Sequence, residues 1–375
     1  MPVSRSFLRV IEQHFGESPR FSLGIEEELM ILDHETLMPA AGVAAVIEAS
    51  EALELPGRLK TELHASVVEL NTGVCADAAE AFAAVAALRH AAAAGAGAHG
   101  LELAAAGAHP LVRAEDLEIV PEPRYLRFVE YAGPSARRQG VNGLHVHVGM
   151  PSGDEALRVL DGIAPWLPLV LGLSANSPYS RGEEAGLMSV RAETLALLPR
   201  RGAPPSLTSY AEWERLIERL ISTGLVSDYT ALWWDARIHP SFGTLEIRMA
   251  DQPTAVPTTC ALVALLQALC AYALDELPPV RDEAARIVYD QNRWAALRFG
   301  PRAALIHPLD GTPVNAPELA AELLDRLAPA ANELGTAKVL ESLPPDRCEA
   351  DTQLTVGRRN GLHAVCADLV ARSAA

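Results

Sequence analysis

The sequence predicts an α+β protein whose sheet is mainly antiparallel. Strand-like and helical segments are interleaved, but they never follow the tandem spacing of βαβ units, and the strands are not apolar throughout. The strands alternate polar with apolar residues, which is typical of a sheet with helices packed on one face. The chain is helical from about residue 255, and no long polar linker interrupts it. We therefore expect a single domain over residues 1–375 with a helical C-terminal subdomain.

Local patterns predict the elements in order. An amphipathic helix opens the chain and ends at Gly16, because glycine favours helix ends. Short segments that are β-branched or alternate polar with apolar residues predict strands at 21–33, 66–70, 101–107, 143–150 and 243–251. Apolar periodicity predicts helices at 40–53, 76–94, within 121–131, at 157–175 and at 210–222. Residues 176–205 lack periodicity and predict a functional loop region, and prolines break the later helices at 278, 308, 313 and 344.

Charge and composition exclude several classes of function. The net charge is −17, from 48 acidic against 31 basic residues, which argues against a nucleic-acid partner. The lysines are Lys60 and Lys338, and neither follows a glycine, so the Walker phosphate loop is absent. Any contact with phosphate must therefore use arginine or metal ions.

The cysteines and apolar runs predict a cytoplasmic protein without a membrane span. The five cysteines are widely spaced and form no C-x-x-C pair, which favours a reducing compartment over a disulfide framework. The N-terminus is amphipathic, unlike a signal peptide. The longest apolar run, 260–274, contains a glutamine and is too short to cross a bilayer, so we interpret it as a buried core helix.

Four predicted strands carry ionisable side chains on one face. Residues two apart on a strand point the same way. This rule groups Glu26 with Glu28, His145 with His147, and Glu246 with Arg248, and it places Glu69 opposite its apolar neighbours. A solvated face would explain any single strand, but it would mix in Thr, Ser, Lys and Gln. The four together predict a concentrated polar site.

Such a concentration of carboxylates repels itself unless cations occupy it. Oxygen ligands suit Mg²⁺ or Mn²⁺, and magnesium sites of this kind often hold nucleotide phosphates as well. Zinc is the competing interpretation, because H-x-H on a strand can chelate a metal. We prefer magnesium since the carboxylates outnumber the imidazoles and H-E-x-x-H is absent.

These segments resemble glutamate-cysteine ligase family 2, a group of carboxylate-amine ligases related in fold to glutamine synthetase. The family's motifs occur in order and at matching spacing through most of the chain. They are Gly24-Ile25-Glu26-Glu27-Glu28, Glu69-Leu70 with Thr72 and Cys75, Gly143-x-His145-Val146-His147-Val148-Gly149, Ser174-Ala175-Asn176-Ser177-Pro178, Ser189 with Arg191, Trp233-Trp234-Asp235-x-Arg237, Gly243-Thr244-x-Glu246-Ile247-Arg248, and Asn292-Arg293-Trp294 with Arg298.

The resemblance implies a curved sheet that forms a funnel, with ATP and metal ions at one end and a carboxylate substrate at the other. It implies a set of metal ligands on the acidic strands, namely Glu26, Glu28, Glu62, Glu69, His145 and Glu246. It implies phosphoryl transfer assisted by Glu246, Arg191 and Arg248. Nucleotide contacts are assigned to His145, His147, Arg237, Asn292 and Arg298, although a structural ion pair explains Arg237 or Arg298 equally well.

The activity that the resemblance implies is ATP-dependent amide-bond formation through an acyl phosphate. The acid is L-glutamate, giving a γ-glutamyl product, and the amine is that of cysteine or another amino compound. Two alternatives stay open on the same site. One is phosphotransfer or metal-assisted amide hydrolysis, and the other is nucleotide binding without turnover. A homo-oligomer is expected from the fold alone.

Overall fold

The computed structural model describes residues 11–277 and 283–374. Its strands are β1 (Leu23–Asp33), β2 (Gly57–Thr61), β3 (Val67–Thr72), β4 (Leu101–Ala104), β5 (Gly143–Gly149), β6 (Tyr179–Ser180), β7 (Glu183–Glu184), β8 (Arg201–Gly202), β9 (Trp233–Trp234), β10 (Ala236–His239), β11 (Thr244–Asp251), β12 (Ala304–Ile306) and β13 (Pro313–Asn315). Its helices are α1 (Val43–Ser50), α2 (Ala78–Gly97), α3 (Pro123–Ala132), α4 (Pro134–Arg137), α5 (Gly153–Ile163), α6 (Leu167–Ser174), α7 (Val190–Leu195), α8 (Tyr210–Ser222), α9 (Val256–Asp275), α10 (Glu283–Phe299), α11 (Ala316–Glu333), α12 (Ala337–Leu340), α13 (Glu349–Asn360) and α14 (Leu362–Ser373).

The main sheet is antiparallel and runs in the order β10-β11-β5-β1-β3-β2, with β4 also paired to β1. Strand β1 is central, because its 11 residues pair with β3, β4 and β5. The register between β5 and β11 shifts by one residue between Ile247 and Ala250. Such a bulge bends and twists a strand locally. The predicted antiparallel α+β architecture is confirmed.

Helices cover the apolar face of this sheet. Strand residues Ile25, Val146 and Leu245 are each at most 1% exposed and pack in one core cluster with α5, α6 and α9. Among the described residues, 153–174 and 256–275 are long and apolar enough to cross a membrane, but most of each is buried in this core. The run at 260–274 is therefore a core helix, as predicted. The five cysteines are buried free thiols.

An ion pair between β1 and α2 lies on the covered face. Arg89 donates from Nε and Nη2 to the two carboxylate oxygens of Glu27 at 2.7 and 2.6 Å, and both side chains are at most 5% exposed. Thr259 and Gln252 also donate to Glu27, at 2.7 and 2.9 Å. Gln252 in turn accepts a hydrogen bond from the backbone N–H of Glu28 at 3.1 Å. These contacts tie the centre of β1 to the helices behind it.

Some predicted elements were wrong. The opening helix lies partly outside the described residues, and residues 11–16 are not helical. The single helix at 157–175 is two helices, α5 and α6, because Pro165 and Pro168 interrupt the backbone hydrogen bonds. Strands β2 and β10 were missed, since five- and four-residue segments give weak patterns. The loop at 176–205 contains α7. The assignment of residues 1–375 to one domain stays a prediction.

Candidate active site

The face of the sheet opposite α5, α6 and α9, here called the open face, brings the ionisable side chains together, although most of them are buried. Glu26 on β1 pairs with His145 on β5, and Glu28 pairs with Glu69 on β3. On the other side of β5, His147 pairs with Glu246 of β11. Directly paired residues in an antiparallel sheet lie side by side on one face. Segments that are far apart in sequence therefore meet in one row across four strands.

One group on this face, here called the mixed cluster, consists of Glu26, His145 and Glu246. Their ligand atoms all lie within 4.8 Å of one another. His145 Nδ1 is 3.0 Å from Glu26 Oε2. The adjacent His147 Nε2 is 3.7 Å from Glu26 and 4.0 Å from Glu246, and this buried nitrogen has no hydrogen-bond partner among the residues that the structure describes. Two carboxylates and two imidazoles thus face a common point.

The second group, here called the carboxylate cluster, consists of Glu28, Glu62 and Glu69. Their oxygens also lie within 4.8 Å of one another. Burial and the charge of Glu62 raise the pKa of Glu28, while burial and the charges of Glu26 and Glu62 raise that of Glu69. Burial raises the pKa of Glu62 as well. Three carboxyl groups at this spacing are not stable as three anions without a compensating charge.

Both clusters fit divalent cations by their donor chemistry. Carboxylate oxygens are the ligands that Mg²⁺ and Mn²⁺ prefer. Burial and the charge of Arg248 lower the pKa of His145 to about 4, so its imidazole is neutral and able to bind a metal at physiological pH. The unpartnered His147 Nε2 and the repulsion among Glu28, Glu62 and Glu69 are both relieved when a cation is present.

Two arginines surround Glu246. Arg237 donates from Nε to Glu246 Oε2 at 2.5 Å and from Nη2 to Oε1 at 3.2 Å, and Arg248 donates to Oε1. Burial alone would raise the pKa of Glu246, but Arg237 and Arg248 hold it well below its usual range. Glu246 is therefore ionised. Arg237 does form the ion pair with Glu246, and its contact with a nucleotide stays a prediction.

Arg191 on α7 supports the backbone of β11 at its bulge. Its guanidinium donates to the carbonyls of Met249 and Arg248 at 3.1 and 3.0 Å, and the side chain is buried. A Cβ at Gly143 would lie 2.0 Å from Arg191 Nη2, which explains the glycine at the start of β5. These contacts place Arg191 next to Arg248. Its direct part in phosphoryl transfer stays a prediction.

The contacts of Asn292 and Arg298 are with α10 and its neighbour β12. Asn292 on α10 donates to the carbonyl of Ile306 at 2.7 Å and accepts from its N–H at 2.8 Å, which joins α10 to β12. The Arg298 guanidinium lies 5.2 Å from the centre of the Phe299 ring. The nucleotide contacts assigned to these two residues gain no support from this arrangement.

Aromatic residues that the strand patterns did not indicate lie at the end of the row. The ring of His239 on β10 packs 5.4 Å from that of His147. The ring of Phe242 stacks on His239 at 4.1 Å and lies edge-on to His147 at 5.5 Å. The alternation of Arg237 with His239 is the signal that could have identified this strand.

We expect Mg²⁺ to raise the melting temperature of the metal-free protein by a few degrees, and more strongly at pH 8 than at pH 6. The raised pKa values of Glu28 and Glu69 mean that the folded protein retains protons that the unfolded chain releases above its ordinary value of 4.5. The stability of the metal-free protein therefore falls as the pH rises from about 4.5 through the raised pKa values that these two residues have in the folded protein.

Differential scanning fluorimetry after EDTA treatment measures this effect, with KCl at matched ionic strength as the control. Glu69→Gln should raise the melting temperature of the metal-free protein and reduce the response to Mg²⁺. Equal responses to Mg²⁺ and KCl would contradict a cation site at the carboxylate cluster.

Comparisons with known proteins agree with this geometry. The model of glutamate-cysteine ligase family 2 matches residues 22–345. A protein of Rubrobacter xylanophilus, provisionally named glutamate–cysteine ligase 2-3, is 39% identical over 369 residues, which cover 97% of this chain and 100% of the relative. A protein of Sorangium cellulosum, provisionally named glutamate–cysteine ligase 2, is 35% identical over 94% of this chain and 96% of its own.

Solved structures share the fold at low sequence identity. A glutamate–cysteine ligase from Francisella tularensis, crystallised in complex with AMP, superposes with a TM-score of 0.67 at 13% identity, over 95% of this chain and 89% of the other. A bifunctional glutathione synthetase from Pasteurella multocida superposes with a TM-score of 0.67 at 14% sequence identity, over 94% of this chain and 53% of the other. The fold is thus the glutamine-synthetase-like one that the resemblance implies.

Proposed function

The chain belongs to glutamate-cysteine ligase family 2, and we propose that it is a ligase that uses ATP and Mg²⁺ to join the γ-carboxylate of L-glutamate to the amine of cysteine or another amino compound. The observation that carries this proposal is the mixed cluster and the carboxylate cluster side by side on the open face, with Arg248 beside Glu246 of the mixed cluster. Mn²⁺ has the same ligand preferences and could replace Mg²⁺.

The proposed reaction has two steps. A carboxylate and an ammonium ion do not condense in water, because both are stable and unreactive. In the first step a carboxylate oxygen attacks the γ-phosphorus of ATP, the bond to ADP breaks, and an acyl phosphate forms. In the second step the neutral amine attacks the acyl carbon and phosphate leaves with the former carboxylate oxygen. The amine nitrogen loses a proton, and an amide results.

The residues of the open face suit the first step. Glu26, Glu28, Glu62, Glu69, His145 and Glu246 would hold the cations. When bound, Mg²⁺ neutralises charge on the phosphate oxygens and holds them in place. Arg248, which is 19% exposed and held against Glu246, can donate hydrogen bonds to the transferred phosphoryl group. Arg191 keeps the backbone of Arg248 in position through its two carbonyl contacts.

The test is whether ADP release requires both substrates. We expect ADP and phosphate to form in equal amounts only when glutamate, an amine and Mg²⁺ are all present, as measured by a coupled assay. With ¹⁸O in the γ-carboxylate of glutamate, one label should appear in the phosphate, because the acyl phosphate transfers that oxygen. Mass spectrometry of the phosphate gives the answer.

Other outcomes would select the competing functions. A phosphorylated product that persists would indicate a phosphotransferase, and cleavage of an amide without ATP would indicate an amidohydrolase. Binding of ATP without turnover over a broad panel of amines would indicate a nucleotide-binding protein. Unlabelled phosphate from labelled glutamate would contradict the acyl phosphate.

A further inference from the structure

Phe242 is an exposed aromatic residue at the edge of the mixed cluster. It lies in the 3₁₀ turn Pro240–Phe242 between β10 and β11, and its side chain is 50% exposed. Its ring stacks on His239 with an angle of 12° between the planes. His239 itself is buried, so the pair presents a single aromatic surface to solvent.

The turn that carries Phe242 is fixed on several sides. Tyr229 Oη donates to Ser241 Oγ at 2.9 Å and lies 3.3 Å from His239 Nδ1. The N–H of His14 donates to the carbonyl of Pro240 at 3.0 Å. Gly243 has a left-handed φ of +64°, and a Cβ there would lie 2.2 Å from the carbonyl oxygen of His14. The aromatic surface is therefore held in one orientation before any ligand arrives.

The position of this aromatic surface relative to the mixed cluster suggests which ligand it binds. The ring of His147 contacts Phe242 edge-on at one side, and its Nε2 lies 4.0 Å from Glu246 Oε1 at the other. One imidazole thus separates the aromatic surface from the mixed cluster. A ligand that reaches both must have a flat apolar part and, a short distance away, an anionic part that binds cations.

We propose that Phe242 is the stacking platform for the base of the nucleoside triphosphate whose phosphates are bound at the mixed cluster. This inference rests on the proposed function, since it assumes that ATP is the substrate. Every nucleobase has a π-face, and stacking on an aromatic side chain contributes about 1–3 kcal/mol per base with little dependence on which base it is. Phe242 accordingly binds the base without selecting adenine over guanine.

The experiment compares Phe242→Ala with the wild type by isothermal titration calorimetry, using ATP, GTP and inorganic tripolyphosphate, each with Mg²⁺. We expect Phe242→Ala to weaken the binding of ATP and of GTP by similar factors of about 5- to 150-fold, which is the range of stacking on one base. The affinity for tripolyphosphate should not change, because that ligand has no base. Phe242→Trp should bind ATP within about threefold of the wild type, since indole also stacks.

Tyr131→Ala is the matched control, because Tyr131 is an aromatic residue that is 53% exposed and lies on α3. It should leave all three affinities unchanged, and thermal melting should show that each variant is folded. Unchanged ATP affinity in Phe242→Ala, or an equal loss for ATP and tripolyphosphate, would overturn the inference while leaving the ligase function standing. A wild-type protein that does not bind ATP would overturn both.

Discussion

Replacing Glu246 with glutamine is expected to reduce ligase turnover by roughly 10³-fold, the upper range for removing one preorganised electrostatic group. Glu246 belongs to the mixed cluster and also accepts hydrogen bonds from Arg237 and Arg248. The glutamine keeps the size of the side chain but removes the negative charge. Two guanidinium groups then lose their counter-charge, and a cation at this cluster would lose a ligand. The coupled ADP assay measures the loss.

Glu184→Gln is the control for this substitution. Glu184 is also ion-paired to an arginine, Arg358, but both side chains are exposed. Surface ion pairs contribute at most about 1 kcal/mol, so turnover and stability should stay near the wild-type values. Turnover in Glu246→Gln within tenfold of the wild type would count strongly against the proposed mechanism, provided that circular dichroism shows a folded protein.

Replacing Arg89 with methionine is expected to lower the free energy of unfolding by about 3–5 kcal/mol, the range for removing one partner of a buried ion pair. Methionine fills similar space but leaves the Glu27 carboxylate without its counter-charge on the covered face of the sheet. Thr259 and Gln252 still donate to Glu27, but neither carries a charge. Urea unfolding followed by circular dichroism measures the change.

The double variant Glu27→Gln/Arg89→Met distinguishes the effect of losing the ion pair from the effect of leaving one buried charge unpaired. Because it removes both charges, most of the stability lost in Arg89→Met should return, and the coupling between the two sites should exceed about 1 kcal/mol. If the single and double variants are equally unstable, the effect comes from the packing of Arg89 and its hydrogen bonds to the carbonyls of Thr254 and Pro253, and not from an uncompensated carboxylate.

Period-two alternation predicts the open face of the sheet well. It correctly groups Glu26 with Glu28 and His145 with His147, because a strand has no other way to direct residues two apart. The pairing of β1 with β5 and β5 with β11 then brings Glu26, His145 and Glu246 together. The pattern alone could not supply that pairing, since register depends on contacts between distant segments.

Other parts of the site follow from tertiary contacts that no local pattern carries. Glu62 comes just after the short strand β2, which the pattern missed, and only the resemblance to the family identified it. Asn292 matches a family motif, yet its amide joins α10 to β12. Glu27 lies between two candidate ligands but faces the helices, where Arg89 on α2 is its partner. Sequence spacing gives no sign of a partner 62 residues away.

The three consecutive glutamates of β1 have opposite surroundings. Glu26 and Glu28 belong to the two clusters on the open face, while Glu27 points to the opposite face and pairs with Arg89 of α2. Insertion or deletion of a single residue just upstream would exchange these environments, because a shift of one position reverses every side chain of a strand. Two carboxylates would then point to the helix-covered face of the sheet, and one would point to the open face. Inserting or deleting one residue in this segment should therefore be far more damaging than most single substitutions. A mutational scan that includes such insertions and deletions should find that this segment does not tolerate them.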